Sequence, residues 1–283
     1  MAELLMQILV PTGIFAALGL LLGVLLALAS RAFAVKVDER VERVAECLPS
    51  ANCGGCGYSG CGQLAAAIVA GEAKPTACTA CSADAVKAIG AIMGIEVGNP
   101  VRMRAQVMCS GTTEYAKKKY AYAGAQDCLA AANLGGGDKL CPNGCIGIGS
   151  CVAHCPFHAI SVVQGVAVVD YRQCVGCGVC VPYCPKHLIQ LIPYDSAHWV
   201  GCMSVDKGQA IRGYCDVGCI SCKLCEKACE AQAIKVENFV ASIDYSRCTG
   251  CDKCVEKCPR KIIWSARKQG GGLIIEREKA KKE

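Results

Sequence analysis

From Leu4 to Ser30 the chain runs for 27 residues without a charge. As a helix rising about 1.5 Å per residue, this run is long enough to cross a hydrocarbon core of about 30 Å with some tilt. The pattern predicts a membrane span. A cleaved signal peptide is the rival reading, but Glu3 and no lysine or arginine precede the run, which is also too long for a signal h-region. Arg31, Lys36, Arg40 and Arg43 follow it, so the positive-inside rule places the rest of the chain in the cytoplasm. Gly19-x3-Gly23 could admit a partner helix, although tolerance of glycine in an apolar span accounts for it equally simply.

Beyond the span the apolar positions change period. Gln63 to Ala73 and Ser82 to Met93 are rich in alanine, with apolar residues at three- and four-residue steps, and predict two helices. Ala159 to Val163 with Ala167 to Asp170, and Ala233 to Val236 with Ala241 to Asp244, are β-branched runs broken by Gln164-Gly165 and by Glu237-Asn238. They predict two short β-hairpins. Aromatic residues make up only 5% of 283 residues, too few for an ordinary core, so something besides side-chain packing must hold the chain folded.

Cysteine supplies it. Twenty of the 26 cysteines fall into five sets of four, and sixteen of those belong to two copies of one pattern 74 residues apart. The second copy reads Cys219-x2-Cys222-x2-Cys225-x3-Cys229, then Cys248-x2-Cys251-x2-Cys254-x3-Cys258-Pro259. In two-cluster ferredoxins three close cysteines hold one cubane and the last cysteine of each run ligates the other run's cluster. Cys219, Cys222, Cys225 and Cys258 are thus expected to hold one [4Fe–4S] cluster, and Cys248, Cys251, Cys254 and Cys229 its partner. A shift of 74 residues back finds every ligand except one, where Ile148 stands. Cys141 lies just upstream and is expected to replace the missing thiolate. The first copy would then use Cys141, Cys145, Cys151 and Cys184 for one cluster and Cys174, Cys177, Cys180 and Cys155 for the other. Pro156, Pro185 and Pro259 follow final cysteines, whereas Glu230 takes that place in the remaining run.

A fifth set, Cys53-x2-Cys56-x4-Cys61-x16-Cys78, has different spacing and is interleaved with Gly54, Gly55, Gly57, Gly60 and Gly62, which let backbone wrap tightly around a cluster. Cys81 competes with Cys78 for the fourth place; Cys78 is preferred. Disulfides fit poorly, since cysteines at two-residue gaps do not form mutually compatible bridges. Zinc sites usually pair two CxxC knuckles and do not string three cysteines and then a fourth before proline. Clusters also call for a reducing compartment, in agreement with the cytoplasmic side of the span.

The formal charge of +6 does not indicate nucleic acid. Each filled [4Fe–4S] site adds about −2, and five of them turn the balance to about −4. The tail from Arg267 to Glu283 mixes lysine with Glu276, Glu278 and Glu283 and is read as a solvated end. No GxGxxG unit between strand and helix and no Walker loop is present, so nicotinamide or nucleotide binding on this chain has no support.

An N-terminal span, then Cys53-Gly54-Gly55-Cys56-Gly57-Tyr58-Ser59-Gly60-Cys61, then tandem ferredoxin runs together resemble the B subunit of the Rnf complex, the membrane-bound ferredoxin:NAD oxidoreductase, in its long form with a doubled ferredoxin module. The resemblance covers nearly the whole chain. It implies a subunit in the bacterial inner (plasma) membrane that takes electrons from soluble reduced ferredoxin and passes them to membrane subunits of an ion-translocating complex, with no active site of its own. Lys117, Lys118 and Lys119 offer an attractive patch for an acidic ferredoxin. Two other readings share some of these features. A polyferredoxin subunit of a membrane hydrogenase or heterodisulfide-reductase type complex gives no reason for the Cys53 to Cys61 motif beside a span, and a membrane redox sensor would need one cluster, not five.

The expected fold class is α+β. Residues 1–34 form a transmembrane anchor, 35–100 a small helical cluster domain, 101–138 a connecting segment, 139–200 and 201–264 two ferredoxin-like modules, and 265–283 a charged tail. Of the six remaining cysteines, Cys109, Cys128, Cys202 and Cys215 could hold a sixth cluster once Cys47 and Cys81 are set aside; free buried thiols, which act as small hydrophobes, are the equal alternative. His154, His158, His187 and His198 are expected to be polar surface residues.

Overall fold

The computed structural model of the chain describes residues 2–32, 38–98 and 100–265. Helix α1 spans Ala2–Ala32. Its 20-residue stretch from Thr12 to Arg31 has a mean hydropathy of 2.4 and none of it is buried. Phe15, Leu20 and Leu26 are among its exposed apolar side chains. Lys36 and the tail from Arg267 onward lie outside the described residues.

Three helices make the next unit. Helix α2 (Glu39–Cys47) has no counterpart among the helices the sequence predicts. Its start is built by Asp38, which caps the Arg40 amide at 2.9 Å, and by Glu39 and Glu42 in the first turn, where carboxylates oppose the helix dipole. Helix α3 (Cys61–Val69) begins two residues before the expected Gln63 and stops short of Ala73, because Gly71 turns left-handed at φ 79°. Helix α4 (Ala83–Met93) lies where the sequence predicts a helix, capped by Ser82 and closed by Gly94 at φ 66°. Val44, Leu48, Leu64, Ile68 and Ile89 fill the space between them, with Cys78 in the same cluster.

The rest is a pair of modules built alike. Strand β1 (Met103–Val107) is followed by α5 (Cys128–Asn133), α6 (Ser150–Ala153), the hairpin β2 (Ile160–Val163) and β3 (Val166–Val169), and strand β4 (Ile189–Pro193). The second module repeats the plan with β5 (His198–Val200), α7 (Gly208–Tyr214), α8 (Leu224–Lys227), the hairpin β6 (Ile234–Glu237) and β7 (Val240–Ile243), α9 (Lys253–Lys257) and β8 (Ile263–Ser265). Both hairpins turn through two left-handed residues, Gln164-Gly165 and Asn238-Phe239. That is the geometry of a tight turn matched to strand twist, and it puts the second break one residue later than the sequence suggests.

Two antiparallel pairs are not visible as patterns in the sequence. Strand β1 pairs with β4, Val107 opposite Ile189, and β5 pairs with β8, Val200 opposite Ile263. Residues 101–138 are therefore more than a connector, since they contribute an edge strand to the first module. Directly after these strands Cys109 and Cys202 face each other across an isolated antiparallel bridge. Met108, Ile192, Trp199 and Trp264 form a small core between the modules. The two indoles lie parallel at 6.3 Å, and the Trp264 Nε1–H donates to Ser110 Oγ at 2.9 Å.

Candidate iron–sulfur sites

Each ferredoxin loop positions its fourth cysteine by the same local device. The residue three places on, His158, His187, Gln232 or Lys261, sits at positive φ and donates its amide to the carbonyl of Cys155, Cys184, Cys229 or Cys258. The chain is thereby folded back over the sulfur. The next amide donates to the sulfur itself in three of the loops, Ala159 to Cys155 at 3.3 Å, Leu188 to Cys184 at 3.4 Å and Ala233 to Cys229 at 3.3 Å. Amides aimed at sulfur stabilise negative charge there and are one of the means by which a protein sets a cluster's potential.

The second module brings together the two expected groups. Cys219, Cys222, Cys225 and Cys258 line one cavity of about 350 Å³, and Cys229, Cys248, Cys251 and Cys254 another of about 340 Å³. Burial, then the neighbouring sulfurs Cys219, Cys258 and Cys222, push the Cys225 thiol up to about 12. Burial and then Cys248, Cys229 and Cys251 push Cys254 up to about 11. In the first module burial raises Cys180 to about 12, with Cys174, Cys177 and Cys155 adding to the rise. Four sulfurs that oppose one another's ionisation in a confined space suit a core that brings positive charge, because metal binding displaces the thiol protons.

The other first-module group is not arranged as the sequence suggests. Cys145, Cys151 and Cys184 line a cavity of about 390 Å³ together with Cys128, not Cys141. After burial, Cys128 is the largest influence raising Cys151. Cys128, the first residue of α5, thus joins the group in which Ile148 stands at the repeat position of a cysteine. Asp127 caps that helix, and Ser150 Oγ accepts from the Cys128 amide at 2.7 Å and donates to Asp127 at 2.8 Å, so Cys128 is held against α6, which carries Cys151. Cys141 instead lines a cavity of about 400 Å³ with Cys109, Cys202 and Cys215. This cavity has Cys141 where the expected sixth set has Cys128. This fourth space is similar in size to the three others. Cys141 and Cys215 are repeat mates, 74 residues apart, a relation visible in the sequence that identifies them as a matched pair across the modules.

Near the N-terminus, Cys56, Cys61 and Cys78 all pack on the helical core, as do Cys47 and Cys81, with Cys53 on the loop before Cys56. Asn52 Oδ1 accepts the Cys61 amide at 2.8 Å and fixes the loop to the start of α3. The Cys81 thiol points to the Cys47 carbonyl at 3.7 Å. Its contact with Cys78 draws the Cys78 thiol down, favouring thiolate, while the same contact and burial push Cys81 up.

The sites adjoin one another. Cys53 acts electrostatically on Cys177, Cys180 on Cys151, Cys109 on Cys145 and Cys219 on Cys202. At the first junction a Cβ on Gly55 would lie 2.2 Å from the Cys177 carbonyl oxygen, so only glycine admits this approach. Gly55→Val is expected to abolish magnetic coupling, read by EPR, between the N-terminal site and its neighbour. Unchanged coupling would mean that the two units do not dock here.

His154, His158 and His187 are exposed as expected, but His198 is buried, its Nε2 against the Asp252 carboxylate beside the Cys229 site. Its position in β5, between the core residues of the module interface, accounts for the difference.

Groups of cysteines gathered beside two similar hairpins are the arrangement of an iron–sulfur protein of the ferredoxin class. Family models agree: a 4Fe–4S dicluster domain matches residues 218–263, a 4Fe–4S binding domain residues 167–190, and an Fe–S cluster family residues 48–80. The chain is 45% identical to the B subunit of the Na⁺-translocating ferredoxin:NAD⁺ oxidoreductase complex of Acetobacterium woodii, over 90% of this chain and 77% of that one. It is 41% identical to the B subunit of an ion-translocating oxidoreductase complex of Methanosarcina acetivorans, over 88% and 95%. The B subunit of a proton-translocating ferredoxin:NAD⁺ oxidoreductase complex of Clostridium ljungdahlii is 40% identical over 87% and 88%. The chain belongs to the family of Rnf-type ion-translocating oxidoreductase complex B subunits.

Proposed function

We propose that this chain is the electron-input subunit of a ferredoxin:NAD oxidoreductase complex, anchored by one transmembrane helix with all its cysteines on the cytoplasmic side. The observation that carries this reading is the row of adjoining thiol-lined sites, which leads from the surface of the second module to the helical unit that follows the membrane helix in the chain. Of the 26 cysteines only Cys222 and Cys251 are exposed, and both lie in the second module. We place the docking of soluble ferredoxin there. Lys117, Lys118 and Lys119 are exposed as well, but Lys118 is held at 2.7 Å by Asp138, which weakens them as a patch. At the other end only residues 33–37 separate α1 from Asp38, a tether that reaches at most about 3.5 Å per residue. The Cys53 site is thus kept close to membrane partners.

Six sites fit the donor sets. We assign them to Cys53, Cys56, Cys61 and Cys78; to Cys155, Cys174, Cys177 and Cys180; to Cys128, Cys145, Cys151 and Cys184; to Cys109, Cys141, Cys202 and Cys215; to Cys219, Cys222, Cys225 and Cys258; and to Cys229, Cys248, Cys251 and Cys254. When bound there, [4Fe–4S] clusters supply reversible one-electron chemistry. The chain's own contribution is to hold the thiolates, direct amides at them, exclude water and fix the order of the sites. The helical unit before residue 101 and the two modules after it serve as separate supports for this row.

Stopped-flow mixing of the detergent-solubilised chain with reduced ferredoxin tests the reading. Cluster bleaching is expected, with a rate that depends on ionic strength as for charged docking partners, and no NAD reduction. No bleaching at any salt concentration would refute the ferredoxin role. A chain truncated to begin at Asp38 is expected to leave the membrane fraction; its retention there would place the anchor elsewhere.

A further inference from the structure

The junction between the modules holds a charge that no acid among the described residues answers. Lys139 is only 3% exposed, and its Nζ donates to two neutral acceptors, the carbonyl oxygens of Gly111 and Gly165, each at 2.7 Å. The carboxylate next to it in sequence, Asp138, turns instead to Lys118. Lys139 and Gly111 both line the cavity of Cys109, Cys141, Cys202 and Cys215, and Gly165 belongs to the hairpin turn of the first module. The turn at Gly165 leads to Ala167, whose amide donates to Cys145 Sγ at 3.5 Å, and the Cys145 amide in turn donates to Cys109 Sγ at 3.5 Å. Lys139 therefore stands between two cysteine sites that come from different elements.

A buried ammonium without a counter-ion is costly, and carbonyl acceptors alone do not remove that cost. A filled four-cysteine site has a net charge of about −2, and about −3 after it takes an electron. The anion missing from around Lys139 is thus the one its cysteine neighbours would create. We propose that Lys139 is the fixed counter-charge of the inter-module site and a determinant of its reduction potential. By favouring the more negative, reduced form, the buried cation raises the potential of the Cys109 site, and to a lesser degree that of the Cys145 site, relative to the flanking sites. Electrons crossing from the second module to the first meet a local energy minimum at the seam. Because Lys139 is enclosed, salt would screen little of this effect.

This inference rests on the six-site reading, and potentiometric EPR titration of the full-length protein separates the two. Six reducible centres in the wild type support that reading, and five overturn both. With six present, Lys139→Gln, which can still donate to the two carbonyls, and Lys139→Met are each expected to keep the iron while making one centre about tenfold harder to reduce relative to its neighbours, 59 mV for a one-electron couple. Lys139→Arg is expected to restore the wild-type value. Six centres with unchanged potentials in both neutral variants would overturn the role of Lys139. Should the neutral variants lose one centre while Lys139→Arg retains it, the positive charge is needed to hold the anionic site. Loss of that centre in all three variants would show that the lysine is structural only.

Discussion

Cys128→Ala and Cys141→Ala are each expected to remove about four of about 24 iron atoms, from different sites. The wild-type figure is six sites of four. The two changes should add: Cys128→Ala with Cys141→Ala loses about eight iron, because the side chains line separate cavities. Cys109→Ala with Cys141→Ala should lose no more than either alone, because both serve one site. Anaerobic metal analysis with acid-labile sulfide reads the counts, and EPR reads which centre has gone. Full iron in Cys128→Ala would return the missing first-module ligand to Cys141. Wild-type protein with about 20 iron atoms, indifferent to Cys109→Ala, would remove the inter-module site altogether.

Trp264→Ala is expected to destabilise the protein by about 3–5 kcal/mol, the usual range when a buried aromatic is truncated to alanine. Trp264 is buried in the small core between the modules, stacks on Trp199 and satisfies Ser110. Ser110 directly follows Cys109, and its amide donates to Gly201 O at 2.9 Å, one residue before Cys202. Removing the indole therefore loosens the backbone that presents both cysteines. Thermal unfolding under anaerobic conditions should show a lowered midpoint, and iron loss on mild heating should begin at the inter-module site. Trp264→Phe keeps most of the packing and gives up one hydrogen bond, worth about 1 kcal/mol. Equal stability of Trp264→Ala and wild type would show that the modules are held together by other contacts.

Much of this architecture is legible in the sequence because cluster loops are local. Three cysteines at two-residue gaps and a fourth three residues on specify both a chain path and a ligand set, so Cys219 to Cys258 can be grouped without coordinates. The hairpins are equally legible, since Val166 to Val169 and Ile234 to Glu237 carry β-branched runs beside turn residues. The approach of Cys128 to the group that Ile148 leaves short of a cysteine is not. Cys128 reaches Cys151 through tertiary packing of α5 on α6, and nothing in the spacing distinguishes it from the nearer Cys141. Strands β1 and β5 escape the sequence for the same reason: each pairs with a strand far along the chain, Met103 with Pro193 and His198 with Ser265. The burial of His198 is hidden with the strand that contains it.

The bridge between Cys109 and Cys202 has a consequence for how the protein matures. Two of the four thiols around that cavity precede residue 142 and two follow residue 201, so neither module alone can complete the set. Under the six-site assignment we propose, the other five sites would be filled one unit at a time, whereas this one would close only when both halves had folded and met in register. Filling it would then report that the two modules are correctly joined.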